Sequence, residues 1–192
     1  MTREYRMDKE YKQILLNVAR EAVRDAVNGQ SPTVPSSNEA ELVATCGCFV
    51  TLKNDERLRG CIGQFISDRP LIELVSEMAV SAATRDPRFI TDPIRPAELE
   101  QLDIEISVLS VLEKTDDPLS LRLGIDGIYI THGNKSGCFL PQVASETGWT
   151  QQQFLTHCCV QKAQLPPNAW EKNDTEVFLF TADVFGAAFV EV

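Results

Sequence analysis

The chain has no apolar run near the roughly 18 residues that a bilayer span needs. Its first stretch, Met1 to Lys12, is charged where a secretory signal would carry an apolar core. A membrane-spanning or exported protein is therefore not expected, and the cytoplasm is the expected location. Basic residues are in deficit: 18 Lys and Arg stand against 28 Asp and Glu, a net charge of -10 and a pI near 4.7. Such a field repels polyanions, so non-specific binding to nucleic acid or anionic lipid, which basic residues drive through counterion release, is disfavoured. No repeat with a period of roughly 20 to 50 residues occurs, which excludes solenoids and propellers. There is no P-loop, no G-x-G-x-x-G, no G-x-S-x-G elbow and no H-E-x-x-H helix.

What remains is an ordinary globular composition, 43% hydrophobic and 24% charged over 192 residues. A chain of that length buries roughly 70% of its unfolded surface, so no covalent staple is needed. Cys46, Cys48, Cys61, Cys138, Cys158 and Cys159 are accordingly expected as reduced thiols and not as a disulfide framework.

Periodicity supplies the elements. Tyr11, Ile14, Leu15, Val18, Ala19, Ala22, Val23, Ala26 and Val27 recur at helical spacing and predict an amphipathic helix over 8–28, stopped by Asn28-Gly29. Gln30 to Ser37, with two prolines and three serines, reads as a loop and is the best linker candidate. Residues 46–53 and 57–65 read as a hairpin, and Pro70 opens a helix to about 84. The proline-rich segment 85–96 is irregular, and 103–112 alternates as a strand. Residues 127–140 form a second hairpin, 150–163 a helix, and 176–190 a strand interrupted by Gly186. Hairpins with interspersed helices, without βαβ alternation, predict an α+β fold with an antiparallel or mixed sheet. The composition shift at 85–96 suggests a small lobe inserted in a larger one within a single domain spanning 1–192.

The sharpest local feature is Leu58-Arg-Gly-Cys-Ile-Gly63. Gly60 and Gly63 bracket Cys61 and remove side-chain bulk, letting backbone or ligand approach the sulfur. Arg59, two residues earlier, shares a face with Cys61 on an extended chain, and a guanidinium favours the thiolate that acts as nucleophile. The alternative is a small core cysteine in a glycine-kinked strand. His132, at a hairpin tip, can titrate near neutral pH or be a solvated turn residue. Arg85 and Arg88 lie in a proline-stiffened loop suited to a carboxylate or phosphate, or to ion pairing within an acidic protein. Gln142 can orient a ligand or cap a helix. His157 falls off its helix's apolar stripe and reads as a surface residue. A zinc set of Cys46, Cys48, His157 and Cys158 lacks the spacing of a compact zinc module, so neither metal nor cofactor is expected.

The chain resembles the AMMECR domain family, whose bacterial and archaeal members are called protein A of the AmmeMemoRadiSam system. The LRGCIG hexapeptide carries the resemblance, and it continues through Phe49-Val-Thr-Leu52, Asp86-Pro-Arg-Phe89, Glu105-Ile-Ser-Val-Leu109, Gly127 to Gly133, Leu140-Pro-Gln-Val143, Trp149, Phe154-Leu155 and Trp170. Where the family commonly reads Leu-Leu-Pro-Gln and Lys-Ala-Gly-Leu, this chain has Phe139-Leu-Pro-Gln142 and Lys162-Ala-Gln-Leu165, losing a glycine that would end a helix. The resemblance implies two lobes of unequal size around a cleft faced by the hexapeptide. It also implies association with a Memo-like protein and a radical SAM enzyme, and a role in RNA or metabolite modification. Two functions are expected to compete. One is a cysteine-dependent enzyme or enzyme component, with Cys61 and His132 catalytic and Arg59, Gly60, Gly63, Arg88 and Gln142 binding substrate. The other is a non-catalytic module that presents the same cleft to a partner. Arg57, Arg59, Arg85 and Arg88 are expected to form a basic area that selects an anionic small molecule or an acidic protein segment.

Overall fold

A computed structural model describes residues 6–189. In chain order the elements are α1 (Lys9–Val27), β1 (Cys48–Asn54), β2 (Arg57–Gln64), α2 (Leu71–Thr84), β3 (Leu102–Leu109), β4 (Glu113–Thr115), β5 (Gly127–His132), β6 (Lys135–Phe139), α3 (Pro141–Thr147), α4 (Gln151–His157), β7 (Glu176–Phe180) and β8 (Ala182–Ala188). They belong to two compact units, the first comprising, among the described residues, Arg6–Leu109 and Asp183–Phe189, the second Ser110–Ala182. Helices and two four-stranded sheets make the fold α+β.

In the first unit the sheet order is β2-β1-β3-β8, and β1 runs antiparallel to both neighbours. Strand alternation puts Cys48, Val50 and Leu52 of β1 on one face with their partners Ile104, Ile106 and Val108 of β3, all buried. The helices cover that face: α2 packs on β1 and β2, α1 packs on α2 and β3. Of the expected α1 stripe, Leu15, Val18, Ala19, Ala22 and Val23 are buried and Tyr11, Ile14, Ala26 and Val27 half-buried. Polar ties fix α1 against β8. The buried carboxylate of Asp183 accepts the Met7 N–H at 2.7 Å and the Lys12 ammonium at 2.9 Å, and the Arg20 guanidinium donates to the Ala188 carbonyl at 2.8 Å. The 30–37 segment joins α1 to β1 inside this unit, so it is a loop and not the linker its composition suggested.

The chain leaves this unit at Leu109, three residues before the expected strand end. Thr181 and Ser110 then bond each other through both backbones and the Ser110 hydroxyl, and the break between β7 and β8 falls there. Gly186 lies inside β8, where a Cβ would press on the Ile104 carbonyl; it marks a close backbone approach and not an interruption.

The second unit has the order β4-β7-β5-β6, with the 127–140 hairpin turning at Gly133-Asn134. Ile128, Ile130, Phe139, Phe154, Leu155, Cys158, Val177 and Leu179 form its core, with the Phe139 and Phe154 rings stacked at 5.3 Å. Helix α3 was not anticipated, although Pro141 at its first position and left-handed Gly148 after its end are standard start and stop signals. Helix α4 opens on a reciprocal capping box between Thr150 and Gln153 and runs into one wide π turn, Cys158–Lys162.

Beyond that turn Gln164 takes φ 53°, the left-handed conformation suited to the glycine this chain lacks at that point. A Cβ there costs on the order of 1 kcal/mol. Gln164→Gly is therefore expected to raise the stability of this unit by about that amount, read as an upward shift of the Trp fluorescence unfolding midpoint. An unchanged or lower midpoint would contradict a strained Gln164.

Candidate functional site

Strand β2, which carries the hexapeptide, is an outer strand of its sheet. Its register with β1 pairs Thr51 with Cys61 and Leu52 with Gly60, then slips so that Lys53 faces Leu58. The slip leaves Arg59 as the extra residue of a β-bulge, and a bulge re-aims the side chain it carries.

Alternation from Gly60 to Gly63 decides what each residue touches. Gly60 faces the helices, and a Cβ on it would overlap the backbone carbonyl of Ala82 in α2. Gly63 points to the other face, where the Phe49 ring lies over it and itself packs edge-on against Phe65 at 4.7 Å. The same face carries Cys61, whose sulfur accepts a hydrogen bond from the Thr51 hydroxyl at 3.3 Å. Thr51 in turn faces Glu105 on β3, and Glu105 pairs with Lys53 at 3.5 Å.

As a residue of an outer strand, Cys61 turns its backbone N–H and carbonyl outward, and the Asp86-Pro-Arg-Phe89 loop meets both groups. The Asp86 carboxylate accepts the Cys61 N–H at 2.9 Å, and the Arg88 guanidinium donates to the Cys61 carbonyl at 3.2 Å. The two side chains also bond each other twice, at 2.9 and 2.6 Å, and Asp86 accepts the Arg88 N–H at 3.1 Å. This fork occupies the edge as a neighbouring strand would, and it closes the edge to further pairing. The Asp86 side chain is 1% exposed and the Arg88 side chain 52%. Arg88 and the two donated N–H groups hold the Asp86 carboxyl down to about 2, against the burial that would raise it. Arg88 is raised in turn, chiefly by its bond to Asp86.

Arg59 takes a different course from the one its spacing suggested. It is 2% exposed and turned by the bulge into the 92–98 segment. There its fork grips both oxygens of Glu98, its Nη1 meets Asp92 Oδ2 at 3.1 Å and its Nη2 meets the Asp92 carbonyl at 3.2 Å. Asp92 also takes Arg57 at 2.7 Å. The guanidiniums of Arg59 and Arg88 each lie over Phe89, at 5.8 and 5.6 Å from its centroid. The expected open basic area is thus largely neutralised by Asp86, Asp92 and Glu98. Arg59 serves as a structural clamp and Gly60 as a helix contact, and in the 85–96 loop Arg88 is ion-paired to Asp86 while its side chain stays half-exposed. Asp86, Asp92, Glu98 and Thr51 were missed as site residues. An acidic residue two before Arg88 was the one signal that pointed to them.

His132 and Gln142 lie in the second unit, among partners of that unit. His132 Nδ1 donates to the Asp174 carbonyl at 3.0 Å and lies 3.3 Å from the Thr175 hydroxyl. Gln142 stands in the first turn of α3, and its buried Oε1 has no hydrogen-bond partner among the described residues. His157 is half-buried, stacked on Trp149 at 4.1 Å. All six cysteines are free thiols. Burial pushes Cys46 up to about 11 and Cys138 up to about 12, and raises Cys48, Cys158 and Cys159, so these five are poor nucleophiles at neutral pH. Among the described residues no group of three or more His, Cys, Asp or Glu is placed to hold a metal ion, and no helix is long and apolar enough to cross a membrane.

The AMMECR1 family model matches residues 16–185. A protein of Thermococcus gammatolerans is 39% identical, with 94% of this chain and 92% of that protein covered. A protein of Methanothermobacter thermautotrophicus is also 39% identical, over 89% of this chain and 91% of that one. The crystal structure of the uncharacterized protein PH0010 from Pyrococcus horikoshii superposes with a TM-score of 0.83 at 35% identity, covering 95% of this chain and 94% of that one.

Proposed function

The chain belongs to the AMMECR1 family, and from that premise we propose that it is a cysteine-dependent enzyme or enzyme component of the cytoplasm whose nucleophile is Cys61. The observation that carries this reading is the setting of one sulfur. Its backbone is held on both sides by the Asp86–Arg88 fork, a hydroxyl donates to it at 3.3 Å, and a half-exposed guanidinium stands beside it. A donor and a cation both favour a thiolate over a thiol, and fixed backbone keeps the sulfur aimed. A substrate that carries an anionic group and a carbon bonded to a leaving group fits this pairing: the anion rests on Arg88, and the thiolate attacks the carbon as the leaving group departs with the bonding electron pair. The partners that fit are those implied by the resemblance, a Memo-like protein and a radical SAM enzyme, acting together on RNA or a metabolite. The proposal stands on residues of the first unit; His132 belongs to the second and is not needed for it.

One observation favours the runner-up, a non-catalytic binding module. Arg59, Gly60 and Gly63 all have structural duties, so most of the hexapeptide is explained without chemistry. The two readings separate on the thiol itself. When the native protein is treated with iodoacetamide at neutral pH and modification is followed by mass spectrometry, Cys61 should react at least about tenfold faster than the other five thiols. A Cys61 that reacts no faster than Cys46 would leave the binding module as the better account.

A further inference from the structure

We propose that Asp86 is the positioning residue of the Cys61 site, and that the balance of charge in its fork with Arg88 sets how readily the Cys61 sulfur reacts. The inference rests on Cys61 being the nucleophile and goes beyond it by naming the group that governs that nucleophile.

Geometry assigns this part to Asp86. Its carboxylate is the hub of the loop: one oxygen takes the Cys61 N–H and an Arg88 nitrogen, the other takes the Arg88 N–H and Nε. Two of these bonds fix the guanidinium, and a third fixes the strand residue that bears the thiol. Arg88 closes the ring by donating to the Cys61 carbonyl. A carboxylate so deeply buried would be costly without these partners, and together they satisfy it. An ordinary edge cap needs only a backbone bond, whereas this one also brings a cation to the sulfur and holds a compensating anion behind that cation.

The charges facing Cys61 are few. The loop after α2 contributes Asp86 and Arg88. Arg59 of the same strand is turned away into the 92–98 segment and committed to Glu98 and Asp92. From β1 and β3 come Lys53 and Glu105, which neutralise each other. The fork is therefore the group whose net charge substitution can change in either direction.

The test is the pH profile of Cys61 alkylation by iodoacetamide, in which the thiolate attacks the methylene carbon and iodide leaves with the electron pair. Asp86→Asn keeps the shape and removes the anion, so the midpoint of the profile should move down by about one pH unit. Arg88→Gln removes the cation and leaves the anion, so the midpoint should move up by about as much. Arg88→Lys, which restores charge without the fork, should recover most of that rise while leaving the protein less stable than the wild type. A purely structural fork would lower stability in each variant without displacing the midpoints in opposite directions. Midpoints that both stay put, or that move the same way, overturn the proposal. If Asp86→Asn does not fold, Arg88→Gln decides alone, and an unmoved midpoint there is fatal. Failure of the nucleophile itself looks different: wild-type Cys61 would not outrun Cys46, and the inference would fall with it.

Discussion

Arg59→Ala will lower the stability of the first unit by about 3 kcal/mol at neutral pH, one of the two largest single-residue effects expected in this chain. The guanidinium is 2% exposed and spends its donors on both oxygens of Glu98 and on the side chain and carbonyl of Asp92. Truncation leaves those acceptors facing a void. Glu98 is 20% exposed and Asp92 50%, so water partly rescues them, and the lower end of the range for a broken buried pair applies. Arg59→Lys should recover only part of the loss, because a point charge cannot span the two Glu98 oxygens. Both Trp149 and Trp170 lie in the second unit, so tryptophan fluorescence would miss this event. Amide hydrogen exchange along β2 in urea is the measurement that reads it. A loss below about 1 kcal/mol, the range of surface pairs, would mean that Arg59 does not clamp the 92–98 segment.

Gly60→Val should cost about 3 kcal/mol or more, and Gly60→Ala somewhat less, because the obstacle is backbone. A Cβ at residue 60 overlaps the Ala82 carbonyl, and α2 cannot give way there without disturbing its buried Leu74, Val75 and Met78. Gly133 is the contrast. It has φ 60° and open space, with nothing within 4 Å of the point a Cβ would occupy, so Gly133→Ala should cost only the roughly 1 kcal/mol of conformational strain. Hydrogen exchange in β2 and in β5 compares the two sites in one protein. A Gly60→Ala variant as stable as the wild type would show that α2 does not press on β2 as the structure has it.

Arg59 and Gly60 also show where reading along the chain succeeds and where it stops. Helices α1 and α2, strands β1, β2, β3, β5 and β6 and the α+β class were legible, because alternation at period two and at about 3.6 is a local property that burial of one face imposes. The hexapeptide stood out too, from two glycines around a cysteine. The reason for each glycine was not legible: Gly60 answers to Ala82 and Gly63 to Phe49, and neither neighbour is apparent until strand and helix are packed.

Arg59 was placed beside Cys61 by strict alternation, and one bulge between Leu52 and Lys53 undid it. A register slip leaves no mark in the strand that carries it, since it depends on the partner strand and on the acids waiting at Asp92 and Glu98. Asp86 was passed over because a carboxylate before a proline reads as ordinary loop chemistry; only the outward N–H of Cys61 on an outer strand turns it into the centre of the site. Composition and period by themselves determined most of the elements and the fold class, and singled out one cysteine. Tertiary structure decided which polar groups meet that cysteine, because unpaired backbone at a sheet edge and charge removed from water must find partners wherever the fold brings them.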